Sequence, residues 1–147
     1  MTTAQTTANK AAVRRLCDAG NTGDLATISA AIDEVIDPNV QNTTPLPVPA
    51  TGTEGLKQVQ AILFGAFPDL HVSIEGMVAE DDRVAARNVV TGTHHGTYMG
   101  LAGTGTSVTW REMFLFRFEA GRIVEISGVV DVVGQMRQLG LLPGPTG

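Results

Sequence analysis

The stretch Ser107–Val130 reads SVTWREMFLFRFEAGRIVEISGVV, and its period decides the fold. Large apolar residues recur at every second position, the period of a strand with two unlike faces. Glu119-Ala120-Gly121 breaks the pattern as a hairpin turn. Ser107–Phe118 is therefore predicted as one strand and Arg122–Val130 as the strand that returns beside it. Alternation then sorts the side chains. Val108, Trp110, Glu112, Phe114, Phe116 and Phe118 share one face of the first strand, and Thr109, Arg111, Met113, Leu115 and Arg117 the other. In the second strand Val124, Ile126, Gly128 and Val130 oppose Ile123, Glu125, Ser127 and Val129. The aromatic-rich face is expected to be concave. The other keeps Met113, Leu115, Ile123 and Val129, and a sheet apolar on both faces has to be covered on both.

The same period continues upstream. His71–Glu75 alternates, Glu80-Asp81-Asp82-Arg83 is a polar turn, and Val84–His94 predicts a long strand that places Ala86, Asn88 and Val90 opposite Ala85, Arg87 and Val89. The glycines at 96, 100, 103 and 105 mark a loop, which leads into a strand and so lacks the helix N-terminus of a phosphate site. Before residue 70 the period is helical. Ala12, Val13, Leu16 and Cys17 form one stripe, ending near Gly20; Leu25, Ile28, Ile32, Val35 and Ile36 form a second, stopped by Asp37-Pro38. Leu56, Val59, Leu63 and Phe67 define a third helix over about Thr53–Phe67. Val40–Thr44 reads as a short strand, the three prolines at 45, 47 and 49 as a rim loop, and Asp131 as the cap of a last helix reaching Leu139. Three helices, an antiparallel meander and a terminal helix predict an α+β fold whose curved sheet wraps the N-terminal helices.

A chain of 147 residues is one domain by size, taken as 1–147 with residues 1–8 a loose tail. Its 43% hydrophobic and 17% charged residues exclude a disordered chain. A net charge of −5 speaks against nucleic acid, and no apolar run is long enough for a membrane helix. The single cysteine, Cys17, fits a reducing cytoplasm and is expected as a small core residue. His94 and His95 are adjacent in a strand and point to opposite faces, so no metal site is expected. Two readings are open for Glu112, between Trp110 and Phe114: a seat near the barrel mouth, or a buried acid whose raised pKa suits proton transfer.

The runs Val89-Val90-Thr91-Gly92-Thr93-His94-His95-Gly96, Phe116-Arg117-Phe118-Glu119-Ala120-Gly121-Arg122-Ile123-Val124-Glu125 and Asp131–Gly140, with the upstream turn Asn21-Thr22-Gly23-Asp24-Leu25, resemble the SnoaL-like polyketide cyclase family. The resemblance spans roughly residues 10–142 and implies a cone-shaped α+β barrel of the nuclear-transport-factor-like fold around an apolar pocket. It also implies that the acid–base aspartate of the cyclases falls here on Gly128 and their partner histidine on Phe114. Neither residue can move a proton, and aldol closure needs both an acid and a base. The chain looks like the family's offshoot of anthracycline C-1 hydroxylases, described as dimers packed through their sheets.

That resemblance implies a hydroxylase of an aromatic, anthracycline-type polyketide with no bound cofactor, using molecular oxygen as co-substrate and an external reductant, with a separate reductase as a further partner. Trp110, Phe114, Phe64, Phe67, Tyr98 and Met99 would form apolar walls, with Gly128 beside them. Asn88 and Glu112 would bind phenol and quinone oxygens, Glu112 serving as base. A homodimer would form through the outer sheet face. Two alternatives stay open: a cyclase with relocated acid–base groups, and a non-catalytic polyketide-binding module.

Overall fold

The computed structural model describes residues 3–44, 46 and 48–143. Four helices and five strands follow in the order α1 (Ala4–Gly20), α2 (Leu25–Val35), β1 (Ile36–Thr43), α3 (Gly52–Ala66), β2 (His71–Glu80), β3 (Arg83–Thr93), β4 (Ser107–Glu119), β5 (Arg122–Val130) and α4 (Val132–Gln138). The sheet runs β1-β5-β4-β3-β2 and is open, with β1 and β2 at its edges. From β2 to β5 it is the expected antiparallel meander.

Three expectations change. Thr3 and Thr6 form a reciprocal capping box, so α1 begins at Ala4 and the described part of the expected tail is helical. The Asp37-Pro38 pair lies inside β1 rather than between elements, and β1 pairs with β5 in parallel. The fifth strand therefore makes the sheet mixed. An edge strand tolerates the proline because its missing N–H has no ladder to serve, and the register between Ile36 and Gln41 is irregular there. Finally, Ile123 lies on the inner face, fully buried and paired with Phe118. The β4–β5 register shifts between Arg117 and Phe118, and such an extra residue reverses the alternation on its far side.

Past that shift the inner face is a set of cross-strand rows. Met77, Ala86, Phe114 and Gly128 form one, Ile74, Asn88, Glu112 and Val130 the next, and Val72, Val90 and Trp110 a third. Helices cover this face: α1 packs on β2, α3 on β1, α2 against both helices, and α4 against β4. The α1–α2 turn is fixed to the sheet by Asn21, whose Oδ1 accepts from the Val72 N–H at 2.8 Å while its Nδ2 donates to the Val72 carbonyl at 2.9 Å. One amide thus serves an edge strand as a further strand would. Phe67, fully buried, packs Tyr98, Trp110 and His94 at ring-centroid distances of 5.1, 5.3 and 5.7 Å. Three of the seven aromatic residues thus meet at this end of the core, while Phe114 and Phe116 form a separate pair at 6.2 Å along β4.

Candidate active site

Between the helices and the inner sheet face lies a cavity of about 270 Å³, near the lower end of small-molecule sites. Leu16 and Cys17 of α1, Ile28 and Ile32 of α2 and Leu63 of α3 form much of its helical wall. Asn88, Glu112, Trp110 and Phe114 form its sheet wall, and Tyr98 and Met99 of the β3–β4 loop reach it as well. Phe64 and Phe67 do not. Both are buried in the hydrophobic core, Phe64 on the last turn of α3 one residue off the stripe that Leu63 presents to the cavity, and Phe67 just past the helix end, where it packs behind Tyr98 and Trp110. Gly128 is also absent from the wall, being covered by the Phe114 ring: a Cβ added there would overlap Phe114 Cδ1 and Cε1.

Sequence reasoning missed several wall residues. Gln135 of α4 is buried and accepts a hydrogen bond from the Tyr98 hydroxyl at 3.0 Å. Asn42 and Gln60 bring further amides from β1 and α3. A short helix and an edge strand carry little periodic signal, so no local pattern aims these side chains at a common space. Phe116 was legible from alternation, and it too reaches the cavity.

Asn88 and Glu112 are directly opposed across β3 and β4, and Asn88 Nδ2 donates to Glu112 Oε1 at 3.2 Å. Burial among apolar groups pushes the Glu112 pKa up. The Asn88 amide and the nearby Trp110 indole N–H partly offset this by favouring the carboxylate. The indole N–H nonetheless makes no hydrogen bond of full geometry among the described residues. The carboxyl thus lies along the cavity wall between two aromatic side chains. A carboxyl raised this way is a stronger base when ionised and holds its proton to higher pH when neutral.

Other candidates take structural places. Asp131 caps α4 by accepting from the Gly134 N–H at 2.9 Å. Arg87 pairs with Glu75 at 3.5 Å on the outer face. His94 is buried, with Nδ1 3.0 Å from the Thr104 hydroxyl, while His95 is exposed. Cys17 lines the cavity rather than the core proper, its thiol facing the Val72 carbonyl at 3.5 Å. Burial, and then the neighbouring Asp18, push its pKa up.

An open, curved α+β sheet closed by helices over an apolar cavity, with few polar groups on its wall, defines a small-molecule site of the kind built into SnoaL-like folds. The chain belongs to the SnoaL-like polyketide cyclase family, whose pattern it matches over residues 10–139. Aklanonic acid methyl ester cyclase AcmA of Streptomyces galilaeus is 30% identical over 131 residues, which cover 88% of this chain and 89% of AcmA. The crystal structure of AclR from the same organism, provisionally assigned as a hydroxylase, superposes with a TM-score of 0.82 at 30% identity, covering 96% of this chain and 90% of AclR. A SnoaL-like protein of Jannaschia sp. CCS1 shares the fold at a TM-score of 0.87 and 24% identity, over 97% of this chain and 99% of its own.

Proposed function

We propose that this family member hydroxylates a polycyclic aromatic polyketide of the anthracycline type, with molecular oxygen as co-substrate and no bound cofactor. One observation carries the reading. The two positions where the resemblance puts the cyclase acid–base pair hold Phe114 and Gly128, which face each other and leave no room for an acid. The cavity wall instead carries a carboxyl group at Glu112, held by Asn88. The 30% identity to AclR supports the same reading.

The chemistry balances with the substrate as electron donor. A separate reductase, using a two-electron reductant, converts a quinone substrate to its dihydroquinone. Glu112 takes a phenolic proton, and the electron-rich ring passes electrons to O₂ in a dry, oriented site. A ring C–H becomes C–OH, the dihydroquinone returns to the quinone, and the second oxygen atom leaves as water. Asn88 and Glu112 hold the phenol and quinone oxygens, while Trp110, Phe114, Tyr98 and Met99 shape the apolar bed. The chain works in the cytoplasm as a homodimer joined through the outer sheet faces.

The identity to AcmA favours a second reading, an aldol cyclase that uses relocated groups. Incubation with an anthracycline-type intermediate, with and without air and reductant, separates the two by product mass. A gain of one oxygen, only in air and with reductant, is the expected result. Ring closure that proceeds equally well under nitrogen would overturn the hydroxylase, and tight binding without turnover in either atmosphere would leave a carrier.

A further inference from the structure

At one point the cavity mouth is built by a residue that its own backbone disfavours. Tyr98-Met99-Gly100-Leu101 is a two-residue hairpin turn, in which the Tyr98 N–H donates to the Leu101 carbonyl and the Leu101 N–H to the Tyr98 carbonyl, both at 2.9 Å. Both central residues have positive φ, 50° at Met99 and 81° at Gly100, the type I′ arrangement. Such a turn prefers Asn-Gly, because asparagine tolerates the left-handed region and a long apolar residue does so poorly. Methionine is therefore the wrong residue for the turn, and local rules are broken in this way where function asks for the side chain. The position of Met99 matches. It lines the cavity yet is 50% exposed, whereas the other described lining residues are buried or half-buried.

The turn around it is fixed. At the base of the loop the His94 N–H donates to the Thr106 carbonyl at 2.9 Å and the Gly105 N–H to the His94 carbonyl at 2.8 Å. The His95 and Gly96 N–H groups both reach the Ala66 carbonyl at the end of α3, at 2.9 and 3.1 Å. Beside Met99, the buried Tyr98 hydroxyl is tied to Gln135 of α4. What is left free to move is the Met99 side chain, unbranched and turning about three bonds. We propose that Met99 is the gate of the cavity. Its side chain swings, on a turn that stays in place, between covering the mouth and clearing it, and so sets how fast a ligand enters and leaves. That the ligand is a flat aromatic rests on the function proposed above; the gate itself rests on the turn and the mouth.

Trp110 is the single tryptophan and stands on the cavity wall, so stopped-flow quenching of its fluorescence by a peri-hydroxyanthraquinone under nitrogen reads both rates. Met99→Asn suits the turn and removes the gate. Its melting temperature should match or exceed that of the wild type. Its association and dissociation rate constants should each rise by about threefold or more, since a step that limits entry also limits exit. Met99→Leu restores apolar bulk and should bring both rates back toward the wild type. A rise in dissociation alone would make Met99 a wall contact and overturn the gate, as would unchanged rates in Met99→Asn. A lower melting temperature would overturn the argument from the turn. Alkylation of Cys17, which lines the same cavity, by N-phenylmaleimide needs no ligand and should also quicken by about threefold in Met99→Asn. A wild type that does not bind the hydroxyanthraquinone overturns the aromatic ligand, and alkylation then decides the gate: equal rates in the two proteins overturn it.

Discussion

The ring of Phe114 lies over Gly128, its partner across β4 and β5, and fills the space any side chain at 128 would need. The two residues therefore exclude proton chemistry at this spot jointly: the ring requires the glycine, and the glycine admits the ring.

Gly128→Ala should destabilise the fold by about 1–3 kcal/mol, the usual cost of overpacking. In a Phe114→Ala background the same change should cost less than about 0.5 kcal/mol, because the obstructing ring is gone. Urea unfolding of the four proteins in this cycle measures the coupling. Additive losses would show that the ring and the glycine do not share the space.

Glu112→Gln bears on both catalysis and pH-dependent stability. Burial raises the Glu112 pKa above its ordinary value near 4.5, so the folded state keeps a proton that the unfolded chain has released. The stability linked to this group is full below that ordinary value and is lost as pH rises through the folded pKa. The glutamine variant lacks this loss, so unfolding curves should show the wild type losing ground to it as pH rises. Turnover should fall by about 10²–10⁴, the range for removing a general base. Unchanged turnover would remove Glu112 from the reaction.

The outer face of the sheet exposes Val129 (75%), Val78 (70%) and Met113 (54%), with Leu115 beside them. Met113 and Val129 are cross-strand partners, as are Val78 and Ala85, and Ala85 and Leu115, which makes the apolar surface continuous. Sedimentation of the wild type should give a dimer at micromolar concentration. Val129→Asp should weaken it by roughly thirtyfold or more, as a buried interface charge does. A wild-type monomer at tens of micromolar would leave this face without its second copy.

Cys17 offers a probe of the cavity, since the chain has no other cysteine. Its thiol pKa is raised, and the thiolate is the reactive form. Iodoacetamide should therefore modify it more slowly than free glutathione at the same pH, and more slowly again with a peri-hydroxyanthraquinone bound. Denaturant should restore the free-thiol rate. Modification that ignores the ligand would place the ligand elsewhere.

Much of this molecule was legible residue by residue. Strands β3 to β5, helices α2 to α4, the Asp131 cap and the shared face of Trp110, Glu112 and Phe114 all follow from local period and turn chemistry. A strand's two faces are set by its own backbone, so alternation reports them without any partner. Where the backbone departs from regularity the reading fails, as at Ile123 beyond the register shift and at Pro38 inside an edge strand.

By itself, the sequence determined which residues could share a face and that Glu112 stood among aromatic side chains. Tertiary structure decided which of them meet. It buried Phe64 and Phe67 in the core, paired β1 with β5, brought Gln135 to Tyr98 and laid Phe114 over Gly128. Periodicity is a property of neighbouring residues, whereas a cavity is made by side chains from distant segments whose separation only packing fixes.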